Sequence, residues 1–130
     1  MAVFRMDHRE NPVIALHNSL GDLSGVEIFN NQVLVAVYVR PEKTKGGILF
    51  TEGTRKEDEY QSKIGLVLKH GPVAFKDPEG QWFQGADIQL NDWVVFRPSD
   101  GWGLKINDVM CRVLTDTAVR GRVSTPDQVW

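Results

Sequence analysis

Apolar positions crowd most densely at Gln32–Arg40 (QVLVAVYVR), where Val33, Val35, Val37 and Val39 would point to one side of an extended chain and Leu34, Ala36 and Tyr38 to the other. Both sides are apolar. An antiparallel strand with one wet face interleaves polar residues, so this strand is expected to face a barrel core on one side and an equally dry surface on the other, a neighbouring subunit being a natural candidate. Further strand-like runs follow at Ile64–Lys69, Asp92–Arg97, Val109–Leu114 and Val119–Val123, separated by stretches containing Gly, Pro, Asn and Asp. Short strands at this spacing predict an all-β protein built as a small barrel. Asp77-Pro78-Glu79-Gly80 has proline and glycine where a turn wants them, which predicts a hairpin over His70–Gly85 with flanks near Val73–Phe75 and Gln81–Phe83.

Two segments depart from the strand pattern. Residues 1–30 read as an N-terminal extension with at most one short helix, capped by Asn11, started by Pro12 and ended at Gly21. Val13, Leu16 and Leu20 would share its face, and that face suits either the chain's own domain or a partner. No other helix is expected. Between the first two strands lies Pro41–Lys63, too long for a hairpin turn and mostly charged or small, so residues 43–63 are expected to form a mobile loop. Its exception is Ile48-Leu49-Phe50, set between Gly46-Gly47 and Thr51-Glu52-Gly53. Three large apolar residues in a solvated loop require burial somewhere, in a further strand of the barrel or in another protein. The run Glu57-Asp58-Glu59 reads as a solvated loop face, and Ser124–Trp130 as a short tail.

Composition narrows the function classes. The chain has 130 residues, 42% hydrophobic and 25% charged, which fits one globular domain with modest appendages. A net charge of -2 provides no basic field to attract phosphate backbones, so nucleic acid and anionic membrane are not expected partners. No stretch approaches the ~18 apolar residues that a membrane span requires. The single cysteine, Cys111, cannot pair within the chain, and a reducing cytoplasm is the simplest expectation for such a sequence.

Catalytic chemistry needs converging polar groups, and the pattern offers none. His8, His17 and His70 are far apart with no metal-ligand spacing, and each reads as a surface or turn residue. Cys111 sits in a strand pattern as a small core hydrophobe. Gly101-Trp102-Gly103 lacks the strand, turn and helix context of a phosphate loop and reads as a turn. The expectation is a binding protein, not an enzyme, with no cofactor of its own.

Taken in order, these segments resemble the ten-kilodalton co-chaperonin family, the GroES-like lids of chaperonin rings, over roughly Asn31–Val123. Thr44-Lys45-Gly46-Gly47-Ile48-Leu49-Phe50 is similar to the family's glycine-preceded apolar triplet in a mobile loop. Ile64-Gly65-Leu66-Val67-Leu68 resembles its glycine-containing strand, and the insertion near His70–Gly85 its roof hairpin. Leu90-Asn91-Asp92-Trp93-Val94-Val95-Phe96 is similar to its "V-G-D-x-V-x-F" segment, and Asp100-Gly101-Trp102-Gly103-Leu104-Lys105 to its aromatic-bearing glycine turn. The extension before Asn31, the tail and the long charged loop depart from the usual lid. Such divergence resembles the co-chaperonins carried by some bacterial viruses.

The resemblance implies a GroES-like β-barrel over residues 31–123 and a homo-oligomer, seven subunits in this family, that caps a GroEL-like chaperonin ring and assists protein folding. ATP would be bound by the chaperonin. Gly46 and Gly47 would allow the backbone turns, and Ile48, Leu49 and Phe50 would be the chaperonin-binding anchors, with the bulk of Phe50 reaching deeper into a groove. Burying each anchor stabilises a complex by ~1.5 to 3 kcal/mol, while ordering each loop residue costs ~1 to 2 kcal/mol, so one loop binds weakly. A ring of loops multiplies affinity by ~10² to 10⁴ without new contacts. The alternative is a ring-forming structural or decoration component of a virus particle that uses the same fold.

Overall fold

A computed structural model describes residues 8, 10–41, 47, 49–79, 83 and 86–129 of the chain. Its centre is a six-stranded antiparallel sheet of β1 (Gln32–Val37), β2 (Ile64–His70), β3 (Trp93–Val95), β4 (Trp102–Ile106), β5 (Val109–Thr115) and β6 (Gly121–Val123). The spatial order is β4-β5-β1-β2-β3-β6, which puts β1 and β2 in the middle and leaves β4 and β6 at opposite edges. Among the described residues two α-helices complete it: α1 (Pro12–Leu20) and α2 (Glu52–Gln61). The expected all-β barrel is therefore corrected on two counts. The sheet stays open, because its edges do not pair with each other, and α2 makes the fold a mixed α/β one.

The alternating apolar residues of β1 divide between two cores, one on each side of the sheet. Leu34, Ala36 and Tyr38 join Ile64, Leu66, Leu68, Trp93 and Cys111 on one side. Val33 and Val35 join Val67, Val94, Phe96 and Leu114 on the other. The chain supplies both covers itself. Leu20 is fully buried against the first side, and Val13, Leu16, Leu23, Val26 and Ile28 pack around it. Ala74, Phe75, Ile88, Ala118 and Val119 close the second. A neighbouring subunit is thus not needed to dry either face of β1, contrary to the expectation from its sequence.

The N-terminal segment is accordingly part of the core. Asn11 caps α1 by accepting a hydrogen bond from the Val13 amide, Pro12 occupies its first turn, and Gly21 ends it with φ 71°. Of the two readings open for its apolar face, the structure takes packing on the chain's own sheet. Polar contacts fix the same segment: Lys69 Nζ donates to the carbonyls of Leu23 and Val26, and Asn107 donates to that of Leu20.

Elsewhere the backbone explains where strands begin and stop. Asn107 and Asp108 both have positive φ (49° and 67°), the left-handed pair of a two-residue hairpin, and they join β4 to β5. The Gly101-Trp102-Gly103 segment, expected as a turn, turns only at Gly101 (φ 66°) and then enters β4. Gly65 lies in β2 where a Cβ would come within 2.8 Å of Val35 and 2.9 Å of Phe96, so only glycine lets the second core close there. The roof hairpin does not form strands at its first flank: Val73–Phe75 lies in successive turns, with Phe75 at φ 59° and Ala74 buried. Of its second flank, Gln81 and Trp82 fall outside the described residues.

Candidate functional site

The long segment between β1 and β2 splits into an apolar part and a helical part. Thr51 caps α2 by accepting the Thr54 amide at 3.0 Å, and Glu52 places an acid in the positive first turn. This corrects the expectation that no second helix forms, since residues 52–61, within the segment expected as a mobile loop over 43–63, are helical. The helix has no apolar stripe. Its one buried residue is Asp58, at 2% exposure, and that carboxylate holds the helix on the sheet.

Asp58 accepts three hydrogen bonds from Arg40, three residues beyond β1: from its amide and Nε, each at 3.0 Å, and from Nη2 at 2.9 Å. The forked geometry matches guanidinium to carboxylate, and the side chains are only 17% and 3% exposed. Arg55, one turn earlier in α2, returns a hydrogen bond from Nε to the Arg40 carbonyl. Glu57-Asp58-Glu59, expected as a solvated face, is therefore mixed. Asp58 is buried because Arg40 neutralises it, while Glu59 makes a looser pair with Lys105 at 3.6 Å.

The Arg40 guanidinium also lies over the Phe50 ring, 4.4 Å from its centroid, and Phe50 packs against the first core. Leu49, one residue earlier, is 74% exposed and occupies an isolated β-bridge position. Gly47 has φ 91° with open space around it, a conformation that any side chain would strain. Of the five expected binding residues, the structure thus describes Gly47, Leu49 and Phe50; Gly46 and Ile48 lie outside the described residues. Leu49 faces solvent and Phe50 is half-buried at home.

No set of groups converges for catalysis among the described residues. The histidines have separate partners: His8 meets the Tyr38 hydroxyl at 2.8 Å, His17 meets Asn91 at 2.6 Å, and His70 meets the Gly71 carbonyl at 2.9 Å. No cluster of three or more His, Cys, Asp or Glu suited to a metal occurs among the described residues. Burial pushes the Cys111 thiol up to about 11, so it stays protonated and a poor nucleophile at neutral pH. Burial likewise raises the Tyr38 phenol, with the Asp127 and Asp58 charges adding to it and Arg40 opposing. A groove of about 540 Å³ runs between α1, the end of β1, α2 and the β4–β5 turn. Its lining includes apolar Leu16, Tyr38 and Met110 and the unlike charges of Glu10, Arg55, Glu59 and Asp108.

The geometry on this side of the molecule is thus an open sheet covered on both faces, with an exposed leucine two residues beyond a glycine of positive φ. The chain belongs to the Chaperonin 10 Kd subunit family, whose profile matches residues 26–123. A comparison with curated proteins finds no match. With the family comes a general co-chaperonin role, interaction with a GroEL-like chaperonin ring, and members that are non-catalytic. The match begins after α1, so the helix that covers the first core is an addition to the matched region.

Proposed function

We propose that this protein caps a chaperonin ring through the element Gly46, Gly47, Ile48, Leu49 and Phe50, as a cytoplasmic homo-oligomer of the seven-subunit type. The observation that carries the reading is Leu49: a large apolar side chain, 74% exposed, two residues beyond a glycine at φ 91° in a member of this family. An exposed leucine gains little at home and ~1.5 to 3 kcal/mol when a partner buries it. Gly47 lets the backbone turn so that the apolar residues lead. Several loops acting together make a strong but releasable contact out of weak ones, which suits a cap that must leave when ATP changes the chaperonin's state.

The test is binding to a GroEL-like chaperonin ring, with and without ATP, of the protein and of a variant with alanine at Ile48, Leu49 and Phe50. Nucleotide-dependent binding that the variant loses supports the reading. Binding that survives the triple substitution, or never occurs, rejects it. Sedimentation of the free protein tests the oligomer directly, since a monomer would lack the multivalency on which the mechanism depends.

A further inference from the structure

We propose that Phe50 acts from its home site: stacked on the Arg40 guanidinium that Asp58 aims, it is the fixed footing of the binding element, so that Leu49 is presented to the partner while Phe50 stays behind. Arg40 and Asp58 are then positioning residues for chaperonin binding. This inference rests on the loop-binding reading above.

Three features place Phe50 on the side of the scaffold. Its ring has the Arg40 cation 4.4 Å above it and the first core beside it. Arg40 is itself immobilised, because Asp58 holds its backbone amide, Nε and Nη2, and Arg55 holds its carbonyl. The α2 cap begins at Thr51, immediately after Phe50, so moving Phe50 away would pull on the first turn of the helix. Leu49 shares none of this. Consecutive side chains of an extended segment point opposite ways, and the exposure of Leu49 against the half-burial of Phe50 follows that rule.

The physical advantage is entropic. With α2 folded and Phe50 stacked, residues 50–61 are already in place before docking, and each residue already fixed is one fewer to order. The planar guanidinium is essential to the footing. A lysine would keep the charge opposite Asp58 but offer no flat face to the ring.

The inference is tested by a double-mutant cycle on ATP-dependent chaperonin affinity, using Phe50→Ala, Arg40→Lys and the pair. Each single substitution is expected to weaken binding roughly three- to tenfold, and the double variant no more than the worse single. Losses that multiply would mean that Phe50 acts independently of Arg40, inside the partner, and would overturn the proposal. Hydrogen exchange on the unsubstituted protein gives a second reading: amides of 51–61 should keep their protection when the chaperonin is added, and their loss would also overturn it. An Ile48→Ala/Leu49→Ala variant separates the two levels. If it binds normally, the loop-binding reading falls and this inference with it; if it loses binding while the Phe50 and Arg40 losses multiply, only this inference falls.

Discussion

The two helices of this chain are held to the same sheet by opposite means. Helix α1 docks through Leu20, Val13 and Leu16, residues spaced to share one face, and buries them in the first core. Helix α2, EGTRKEDEYQ, buries a single residue, and that residue is an aspartate. An apolar face is non-directional and adds up over area, so α1 tolerates small shifts. A forked ion pair has one good geometry, so α2 is held in one place chiefly by Arg40, with the looser Lys105–Glu59 pair and a long hydrogen bond from Arg112 to the Tyr60 carbonyl as lesser ties. The contrast fits their positions. The first helix closes a core, whereas the second directly follows the element proposed above to meet a partner.

The sharpest way to break the comparison is to put a charge into the apolar anchor. Leu20→Asp should destabilise the whole protein by about 4 kcal/mol or more, because it leaves both a cavity and a buried carboxylate in the first core. Urea unfolding should show one cooperative transition moved to much lower denaturant. Asp58→Ala should cost about 3 kcal/mol, since it strands a largely buried Arg40 charge, and its effect should be local. Hydrogen exchange should then report loss of protection in 52–61 with the sheet unchanged; uniform loss throughout the chain would show that α2 is not separately anchored.

Smaller effects sharpen the contrast. Both helices carry a side-chain cap, so Asn11→Ala and Thr51→Ala should cost a similar amount, about 1 kcal/mol each by thermal unfolding. A large difference between them would mean that the anchors do not act independently of the caps. The weakest effect is one of pH. The Cys111 thiol titrates near 9.0 when free and is pushed up to about 11 by burial. Above pH 9 the unfolded chain therefore releases a proton that the folded chain keeps, and stability falls as pH rises from 9 towards 11. The raised Tyr38 phenol acts in the same direction. Cys111→Ala should flatten the first part of that fall and leave the later part in place.

What could be read from the sequence follows the same division. Asn11-Pro12 and Gly21 bracket an apolar face, and α1 forms between them as the pattern predicts. Strands β1, β2 and β5 were visible because their alternating residues serve two cores. Helix α2 was hidden because apolar periodicity is the usual signal and its stabilising contact is a charge pair eighteen residues apart in sequence. Its one local sign was Thr51 followed by an acid, a start signal with no apolar run behind it. Strand β4 was hidden by Gly101 before it and Gly103 within it, although Asn107-Asp108 between two apolar runs marks the hairpin that pairs it with β5. Closure of the sheet was not legible at all. Whether β4 and β6 meet depends on accumulated twist and on what covers the faces, and no residue pattern states either. The proposed binding element stood out in the sequence as an apolar surprise in a polar stretch, but its division between an exposed Leu49 and a stacked Phe50 came only with Arg40 in place.

The long reach of the N-terminal segment bears on how the chain acquires its shape during synthesis. Asn107 closes on Leu20 across 87 positions, and Asn91 on His17 across 74. A nine-residue helix is too short to persist in water alone, so α1, although made first, must wait unstructured until β5 has been translated. Until then the Leu34, Ala36 and Tyr38 side of β1 has no lid, and a ribosome that stalls before residue 107 holds a nascent chain with that surface open to aggregation.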